Sequence, residues 1–398
     1  MGKSGKKYIL KNKDIPIMTF LCVPVYGKIG SEIFIKDYDI KKIEILEEKL
    51  LPRSYPVSEK LNGAKVKEWI KRRKAPSNRK NIESILNYEV QTQGLDSKNF
   101  MNYIDISFGL SLNDSYWIVP EDENIYLWKD YNLYENRFSE RLSLIAFGEK
   151  EIASSIVEDI HTSPEYTTNG MLAKCWTNLD GELTLIKHTS EDRVEALAEY
   201  YLCQVAEVMG FEHIEYDIVE FHNKKVSACK IFTSEDEGYV PIYYFLTTKE
   251  RAGSEEKLLK RVEEIMGREK IEDLMLFDSL IFNEDRHLGN YGMIIDNSTG
   301  EVLRPAPIFD NGNSLFMLLN EVEEGKTIYA KHRIGISFDT LSKIYVNKRH
   351  RMGLEKLKNF SFKRHSKYNL SESLIRRAES FIRERAEISL KHLEMKNT

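Results

Sequence analysis

Residues 283–290 read Asn-Glu-Asp-Arg-His-Leu-Gly-Asn, and residues 308–312 read Ile-Phe-Asp-Asn-Gly. The first stretch places Asp285 five residues before Asn290, and the second supplies Asp310 after a predicted strand, turn and strand. A phosphoryl-transfer site needs these groups in this order: a base for the attacking hydroxyl, an amide oxygen for Mg²⁺ and a carboxylate for Mg²⁺. The separation of Asp from Asn also equals that of the protein-kinase catalytic loop. The two stretches therefore predict a kinase site.

The three polar side chains would have different roles in the reaction. Asp285 follows a predicted helix and lies in a loop, where its carboxylate can accept the proton of a substrate hydroxyl. Asn290 would bind Mg²⁺ through its amide oxygen, and Asp310 would bind it through a carboxylate. Mg²⁺ accepts so few protein ligands because phosphate oxygens and water complete its coordination. Taken alone, each stretch is equally compatible with a helix end or a plain turn, so the combination is what favours catalysis.

A lysine and a glutamate upstream match the phosphate anchor of kinases. Lys187 ends the second strand of a predicted hairpin, and the following helix carries Glu191, Glu195 and Glu199 at successive i+4 positions. We prefer Glu199 as the partner because it lies nearest the apolar stripe of that helix. The alternative is that the glutamates form one solvated face. Lys187 is predicted to be both a catalytic and a nucleotide-binding residue.

The polar loop before this hairpin lies where a phosphate-covering loop is expected. Residues 161–170 read HTSPEYTTNG, with one glycine and no G-x-G-x-x-G pattern. Backbone amides and hydroxyls of such a loop can still hold phosphate, so Thr168 and Gly170 are predicted to bind the nucleotide. The hydroxyls of Ser163 and Thr167 are further candidate donors.

His287 lies two residues after Asp285 and is a further catalytic candidate. It would hydrogen-bond the transferred phosphate or orient the base. A loop histidine serves just as often as a structural hydrogen-bonding group, so that alternative stays open.

The composition limits the class of protein. The chain has 398 residues, 41% of them hydrophobic, which is enough for a large core. A net charge of −5 gives no general attraction to nucleic acid, so direct nucleic-acid binding is not expected. The four cysteines form no C-x-x-C pair and are expected to be reduced. Without a secretory signal or an apolar run long enough to span a membrane, the sequence predicts a cytoplasmic protein with no membrane contact.

A basic run from Lys343 to Lys367 departs from this overall charge. Between these two lysines it contains lysine and arginine at seven positions against one glutamate: Lys348, Arg349, Arg351, Lys356, Lys358, Lys363, Arg364 and Glu355. Such a run can bind RNA, DNA or an acidic protein surface. More often it is a solvated face, and we favour that interpretation.

Three parts are predicted along the chain. Residues 1–150 form an N-terminal module of unknown role that contains strands, helices and aromatic segments. Residues 151–235 form a hairpin, an amphipathic helix and a second hairpin, which is the layout of a kinase N-lobe. Residues 236–398 are mainly helical and form the C-lobe. The predicted strands are 15–40 (two strands), 171–177, 182–188, 214–221, 225–232, 291–295 and 301–303, and the predicted helices are 60–74, 79–88, 191–209, 255–266, 271–282 and 370–395.

These residues resemble HipA-like serine/threonine kinases, in the single-chain bacterial branch with its own N-terminal extension. The matching pieces are GMLAKCW, LIKH, EALAEYYLCQVAEVMG, VSACKIF, NEDRHLGNYG and PIFDNG. The resemblance implies an α+β, bilobal protein-kinase-like fold with an additional N-terminal α+β module. It also implies ATP and Mg²⁺ as cofactors and phosphorylation of Ser or Thr on a protein substrate. In these terms Asp285 is the base, Asn290 and Asp310 are metal ligands, and Lys187 is the phosphate anchor.

The resemblance extends to regulation and partners. Relatives often act as growth-arresting toxins and pair with a helix-turn-helix DNA-binding antitoxin, so such a partner is a possible one here. Some relatives phosphorylate a serine in their own phosphate loop. Ser163, Thr167 and Thr168 are the candidates in this chain, although no position matches the pattern cleanly.

Two other classes of function stay open. The first is a lipid or small-molecule kinase on the same core. The segment after Asp310, NGNSLFMLLNEVEEGK, is apolar and then acidic, which suits anionic lipid headgroups poorly. The second is a non-catalytic nucleotide-binding or peptide-binding module, with residues 1–150 as the interaction domain.

Overall fold

The structure is a computed structural model, and it describes residues 5–53, 61–85, 100–123, 125–189, 194–323, 326 and 328–396. Strands and helices both occur, largely in separate runs, and the printed strand pairings are antiparallel, which confirms the predicted α+β class. The predicted helix over 79–88 is helical at residues 82–85 and then runs outside the described residues, as does Glu191.

The regular elements are numbered in chain order within the described residues. The strands β1 to β11 are Lys6–Asn12, Ile15–Ile29, Glu32–Ile45, Tyr116–Pro120, Ala173–Leu179, Glu182–His188, Asp217–Phe221, Lys224–Lys230, Glu237–Pro241, Gly292–Asp296 and Val302–Pro305. The α-helices α1 to α13 are Gly63–Arg73, Asn102–Ser107, Trp128–Tyr131, Glu140–Phe147, Lys150–Ser155, Glu195–Met209, Thr248–Arg251, Glu255–Met266, Arg268–Ile281, Leu315–Glu321, Phe338–Tyr345, Arg351–Leu357 and Glu372–Met395. None of the helices in this described part of the chain is long and apolar enough to cross a membrane.

The chain divides into two compact units. The first contains Met1–Leu183, Thr233–Val240 and Ile294–Leu303, and the second contains Thr184–Phe232, Pro241–Met293 and Arg304–Thr398. This division does not test the three predicted functional parts, which stay a prediction.

The first unit is built on an antiparallel sheet of order β3-β2-β1-β4. Strand β1 is central: Tyr8 pairs with Phe20 of β2, and Ile9 pairs with Val119 of β4. The sequence did not predict β1, because its lysines give it the appearance of a basic tail. Lys11 is nevertheless 3% exposed, and its ammonium group lies 5.4 Å from the ring centre of Trp117. Pairing across more than a hundred residues, rather than local composition, makes this segment a strand.

The elements flanking this sheet follow local sequence signals. In α1, Asn62 caps the helix by accepting a hydrogen bond from the backbone N–H of Lys65, and Val66, Trp69 and Ile70 are buried. A second sheet has the order β11-β10-β9, with most of its residues in the first unit. Between β5 and β6 the chain turns at Asp180 and Gly181, which both have positive φ (51° and 88°) as a tight hairpin turn requires.

In the second unit, β6, β8 and β7 form an antiparallel sheet with β8 in the middle. Ile186 pairs with Ala228, and Val219 pairs with Val226. Helix α6 buries Tyr201 and Val205 and ends at Gly210, whose φ of 73° gives the left-handed cap that the sequence predicts.

The core of the second unit lies among α6, α9 and the later helices. Nearly every residue of α9 from Ile271 onward is buried, including Leu276 and Phe277 at 0% exposure. Truncating such a leucine to alanine typically costs about 2–5 kcal/mol, so α9 is a rigid support. The helix ends at Phe282 in the left-handed region (φ 50°), and the loop with Asp285 starts there.

Three basic residues of the basic run in the second unit form ion pairs with carboxylates. Arg364 lies 2.8 Å from Glu372 and 2.7 Å from Glu379, and Lys358 lies 3.1 Å from Glu355. Arg349 pairs with Glu272 at 3.3 Å and with Asp273. These pairs agree with the interpretation as a solvated face, and nucleic-acid binding remains untested.

Candidate active site

Lys187 is held between two carboxylates at the end of β6. Its Nζ lies 2.7 Å from Oε1 of Glu199 and 2.8 Å from Oδ1 of Asp310. The other carboxylate oxygen of Glu199 accepts a hydrogen bond from the Ser227 hydroxyl at 2.7 Å. Lys187 is 5% exposed and Glu199 is 2% exposed. Of the glutamates considered from the sequence and described here, Glu199 is the one that the fold brings to the lysine.

The charges of this group are set by burial and by one another. Burial alone would lower the pKa of Lys187, but Asp310 and Glu199 together raise it well above its ordinary value. Burial raises the pKa of Glu199, and Lys187 opposes that rise. Lys187 therefore stays protonated, as a residue that positions phosphate oxygens must be.

Asp310 has an unusual backbone conformation that three neighbours stabilise. Its φ of 57° lies in the left-handed region, which costs a non-glycine residue about 1 kcal/mol or more. Its backbone N–H donates to the hydroxyl of buried Tyr216 at 3.0 Å, and its carboxylate accepts from Lys187. The next peptide is held by Arg286, described below. The side chain of Asp310 is still 42% exposed, so the carboxylate can bind a ligand as well.

Arg286 links the two stretches that carry the predicted catalytic groups. One of its guanidinium nitrogens donates to the backbone oxygen of Phe309 at 2.7 Å and to that of Asn290 at 3.3 Å. The other donates to Oδ1 of Asn311 at 2.6 Å. The residue is 0% exposed. A planar fork of donors suits this role, because it fixes several acceptors at once.

The charge of Arg286 is balanced by Asp278 of α9. The guanidinium donates to both carboxylate oxygens at 3.0–3.2 Å, and His332 lies 3.2 Å from Oδ2 of Asp278. Burial acts to raise the pKa of Asp278, but Arg286 and His332 hold it below its ordinary value. The loop of residues 283–290 is thus anchored to the core by a buried ion pair.

Asp285 and Asn290 are fixed by the turns of their own loop. The backbone N–H of Asp285 donates to Asn283 Oδ1 at 3.0 Å, and the side chain of Asp285 is half-buried. The amide nitrogen of Asn290 donates to the backbone oxygen of Asp285 at 3.3 Å. This hydrogen bond leaves the amide oxygen of Asn290 as its remaining acceptor. One amide oxygen and one exposed carboxylate, Asp310, are a donor set that fits Mg²⁺ completed by phosphate and water.

The remaining candidates lie in different surroundings. His287 is exposed, and its Nδ1 accepts a hydrogen bond from the backbone N–H of Gly289 at 3.0 Å, so it stabilises its own turn. Thr168 and Gly170 belong to the first unit. The Thr168 hydroxyl donates to Pro164 O at 2.8 Å, and Gly170 has a φ of 96°. The roles predicted for these residues stay predictions.

No group of three or more His, Cys, Asp or Glu residues suited to a metal ion occurs in the part of the chain that the structure describes. None of the four cysteines, all of which lie in the described part of the chain, forms a disulfide bond. A metal in this site would therefore be held by the sparse set of Asn290 and Asp310, with no larger carboxylate cluster.

Two residues of the site were missed by the sequence prediction. Arg286 lies within the stretch 283–290 but was assigned no role, although its position between the predicted base Asp285 and His287 is a local signal. Tyr216 had no local signal, because its contact with Asp310 joins positions 94 residues apart.

A lysine–glutamate pair on a small sheet and helix, next to a helical domain with Asp285, Asn290 and Asp310, defines a protein-kinase-like protein. Comparison with known proteins gives the same class. The chain is 29% identical over 137 residues to the serine/threonine-protein kinase CtkA of Helicobacter pylori (strain J99). The match covers 31% of this chain and 42% of CtkA, so less than half of that relative is represented.

Among solved structures, the chain is similar to the HipA toxin of Shewanella oneidensis MR-1, which was solved with HipB and operator DNA. The TM-score is 0.53 at 13% identity, over 96% of this chain and 97% of that one. The H. pylori proinflammatory kinase CtkA aligns with a TM-score of 0.44 at 18% identity, over 56% of this chain and 95% of that one. No family model matches the chain. The predicted resemblance to HipA-like kinases and the predicted kinase-like fold are confirmed.

Proposed function

We propose that this chain is an ATP- and Mg²⁺-dependent protein kinase that phosphorylates serine or threonine. The observation that carries the proposal is the placement of Lys187 between Glu199 and Asp310. Asp285 and Asn290 lie in the same compact unit. The segment shared with CtkA supports a kinase in general.

In this proposal each residue has a defined task. Asp285 accepts the proton of the substrate hydroxyl. Lys187, kept protonated by its two carboxylates, orients the phosphate oxygens of ATP. Asn290 and Asp310 hold Mg²⁺, which offsets the negative charge on the phosphates. Glu199 keeps Lys187 in place.

Three further predicted roles belong to this proposal. Thr168 and Gly170 bind the nucleotide through a hydroxyl and a backbone amide. His287 assists Asp285, although its hydrogen bond to Gly289 is equally suited to a purely structural role. The test for His287 is a His287→Ala variant: a catalytic role lowers kcat, whereas a structural role lowers stability alone.

The HipA structure is that of a toxin bound to HipB and operator DNA. On this likeness we extend the proposal to a growth-arresting cytoplasmic kinase that pairs with a DNA-binding antitoxin. The substrate would then be a cellular protein or the kinase itself. Expression of the wild type and of Asp285→Ala, scored for growth and by phosphoproteomics, tests this extension. Arrest by both proteins alike would exclude phosphorylation as its cause.

The structure also bears on the lipid-kinase alternative. The apolar residues after Asp310 are not available to a membrane, because Leu315, Phe316 and Leu319 are at most 6% exposed and belong to the core. No observation favours a lipid substrate over a protein.

The direct test is transfer of a labelled γ-phosphate from ATP by the purified chain with Mg²⁺. Wild type is expected to label serine or threonine on itself or on an added protein. The activity of Asp285→Ala is expected to be about 10²–10⁴-fold lower than that of wild type, because this is the usual contribution of a general base. Glu284→Ala is the matched control, since it removes a carboxylate from the same loop outside the proposed site. Equal labelling by wild type and Asp285→Ala would refute the proposal.

A further inference from the structure

The segment that contains Thr168 and Gly170 is fixed by the N-terminal part of the chain. The backbone N–H of Ala75 donates to the oxygen of Tyr166 at 2.6 Å, and that of Lys80 donates to Met171 at 3.0 Å. The Thr167 hydroxyl donates to the oxygen of Leu110 at 2.9 Å. These residues all belong to the first unit. We call residues 162–171 the anchored segment.

One buried ion pair forms the centre of this anchoring. Arg79 and Glu165 are bonded to each other, and both side chains are 0% exposed. The guanidinium of Arg79 also donates to the backbone oxygen of Glu165 at 2.6 Å and to that of Lys174 at 2.9 Å. The second carboxylate oxygen of Glu165 accepts from the backbone N–H of Trp176 at 2.7 Å. A single arginine therefore binds both the start of the anchored segment and the strand that follows it.

The hydroxyls of the anchored segment take part in the same packing. Ser163 is 1% exposed and accepts from the backbone N–H of Glu165 at 3.2 Å. Thr167 is 4% exposed, and its hydroxyl donates a hydrogen bond to the backbone oxygen of Leu110. Thr168 also accepts a hydrogen bond from the indole N–H of Trp176 at 3.1 Å. The segment is thus held in one conformation through both backbone and side chains.

We propose that Arg79 is a positioning residue and that, together with Ala75, Lys80 and Leu110, it presets the anchored segment for the nucleotide. This inference rests on the proposed function, because it takes Thr168 and Gly170 to contact phosphate. Arg79 acts through Glu165 and does not itself touch the nucleotide. A loop with one glycine lacks the tight backbone of a Gly-rich phosphate loop, and anchoring by a buried ion pair supplies the missing rigidity.

The experiment compares Arg79→Met and Thr167→Val with wild type in the full chain. Thr167→Val keeps the shape of the side chain and removes the hydrogen bonds of its hydroxyl to the backbone oxygens of Leu110 and Pro164. It therefore remains informative if Arg79→Met fails to fold. Arg72→Met is the matched control, because Arg72 is 40% exposed and pairs with Glu68 on the surface of α1. Arg79→Lys keeps the charge and is expected to restore part of the effect.

The first readout is amide hydrogen exchange of the anchored segment, with α9 in the second unit as an internal reference. We expect about tenfold or more faster exchange over 162–171 in both test variants and unchanged exchange in α9. Unchanged exchange in the anchored segment would overturn the inference. Equal acceleration in α9 would also overturn it, because it indicates global destabilisation.

The second readout is the ATP dependence of phosphoryl transfer. We expect KM for ATP to rise about tenfold in Arg79→Met, with kcat within about twofold of wild type, since the reacting groups are untouched. A fall in kcat with KM unchanged would contradict positioning of the nucleotide. If wild type transfers no phosphate at all, the proposed function fails, whereas the exchange data still decide whether Arg79 anchors the segment.

Discussion

Among the residues that the structure describes, two arginine–carboxylate pairs have 0% side-chain exposure, and they position different parts of the chain. Arg286 with Asp278, in the second unit, ties together two loops that carry candidate reacting groups. Arg79 with Glu165, in the first unit, ties down backbone oxygens of a polar segment. Both use the donor fork of arginine, and both have a fully desolvated partner.

The difference lies in what each pair controls. Loss of the Arg286 pair would disturb Asn290 and Asp310 directly, because their backbones or their neighbours accept from it. Loss of the Arg79 pair would loosen a segment without moving an ionisable group of the site. A buried pair contributes less to net stability than its geometry suggests, because desolvation offsets the attraction. The main effect of a buried ion pair is therefore expected on the position of the groups that it binds.

The largest effect is expected for Arg286→Met, which leaves the buried Asp278 without its guanidinium partner and with only His332 beside it. Breaking such a pair typically costs about 3–5 kcal/mol, measurable as a fall in the free energy of unfolding in urea. Activity should fall with it. Arg286→Lys should recover part of the stability and little of the geometry. If Arg286→Met proves as stable as Arg79→Met and fully active, the distinction between the two pairs is wrong.

Lys187→Met should leave the fold intact and remove phosphoryl transfer. We expect kcat/KM to fall about 10²–10³-fold, as for loss of one preorganised donor to a transition-state charge. Steady-state kinetics with labelled ATP measures this. Lys225→Met is a control from strand β8 of the second unit, where this lysine is exposed. A comparable loss there would show that the effect is not specific to Lys187.

Tyr216→Phe should have a smaller effect on the same site. It removes the acceptor for the backbone N–H of Asp310, and an unsatisfied buried donor costs about 1–3 kcal/mol. We expect about a tenfold rise in the Mg²⁺ concentration needed for half-maximal activity, together with a fall of about 1–3 kcal/mol in the free energy of unfolding. A normal Mg²⁺ requirement would show that Asp310 keeps its left-handed conformation without this hydrogen bond.

The two buried carboxylates should also respond oppositely to acid. The pKa of Asp278 is lowered in the fold from 3.8, so its stabilisation is present above that value and is lost as the pH falls through the folded pKa. Burial raises the pKa of Glu165 above 4.5 although Arg79 opposes that rise, so the stability that Glu165 contributes falls as the pH rises from 4.5 through its folded pKa. As the pH is lowered from about 5 to about 3, amide hydrogen exchange should therefore accelerate more steeply in α9 than in the anchored segment. Parallel behaviour would contradict these opposite shifts.

The smallest effect is expected at an exposed pair of the basic run. Lys358 and Glu355 are 43% and 47% exposed, and such pairs contribute about 0–1 kcal/mol. Lys358→Ala should change the free energy of unfolding by less than about 0.5 kcal/mol and leave activity unchanged. A marked loss of activity would indicate that this face binds the substrate or a partner.

Local pattern was enough to predict several elements of the fold. The strand Glu182–His188 and the helix Glu255–Met266 were predicted with the bounds that they have. Helix α9 begins at Arg268, three residues before its predicted start at Ile271, because its first turn is polar and the apolar period appears only afterwards. Strand β4 was not predicted, since Tyr116–Pro120 is defined by pairing with a strand at the other end of the unit.

The candidate site shows the same limit. Lys187 and Glu199 are 12 residues apart, and the strand–turn–helix pattern suffices to bring them together. Arg79 and Glu165 are 86 residues apart, and neither stands in a recognisable motif. Such contacts depend on how distant segments of one unit pack, which no short window of sequence contains.

A side chain at position 312, where the second unit has glycine, would not fit. A Cβ placed there would overlap the backbone oxygen of Glu195, in the first turn of the helix that carries Glu199. Backbone cannot move aside as a flexible side chain can, so every coding change at this codon adds atoms where none fit. In a saturation library selected for kinase output, position 312 should lose every substitution, alanine included. A strict requirement for glycine at position 312 would therefore be genetic evidence that the loop carrying Asp310 closely approaches helix α6.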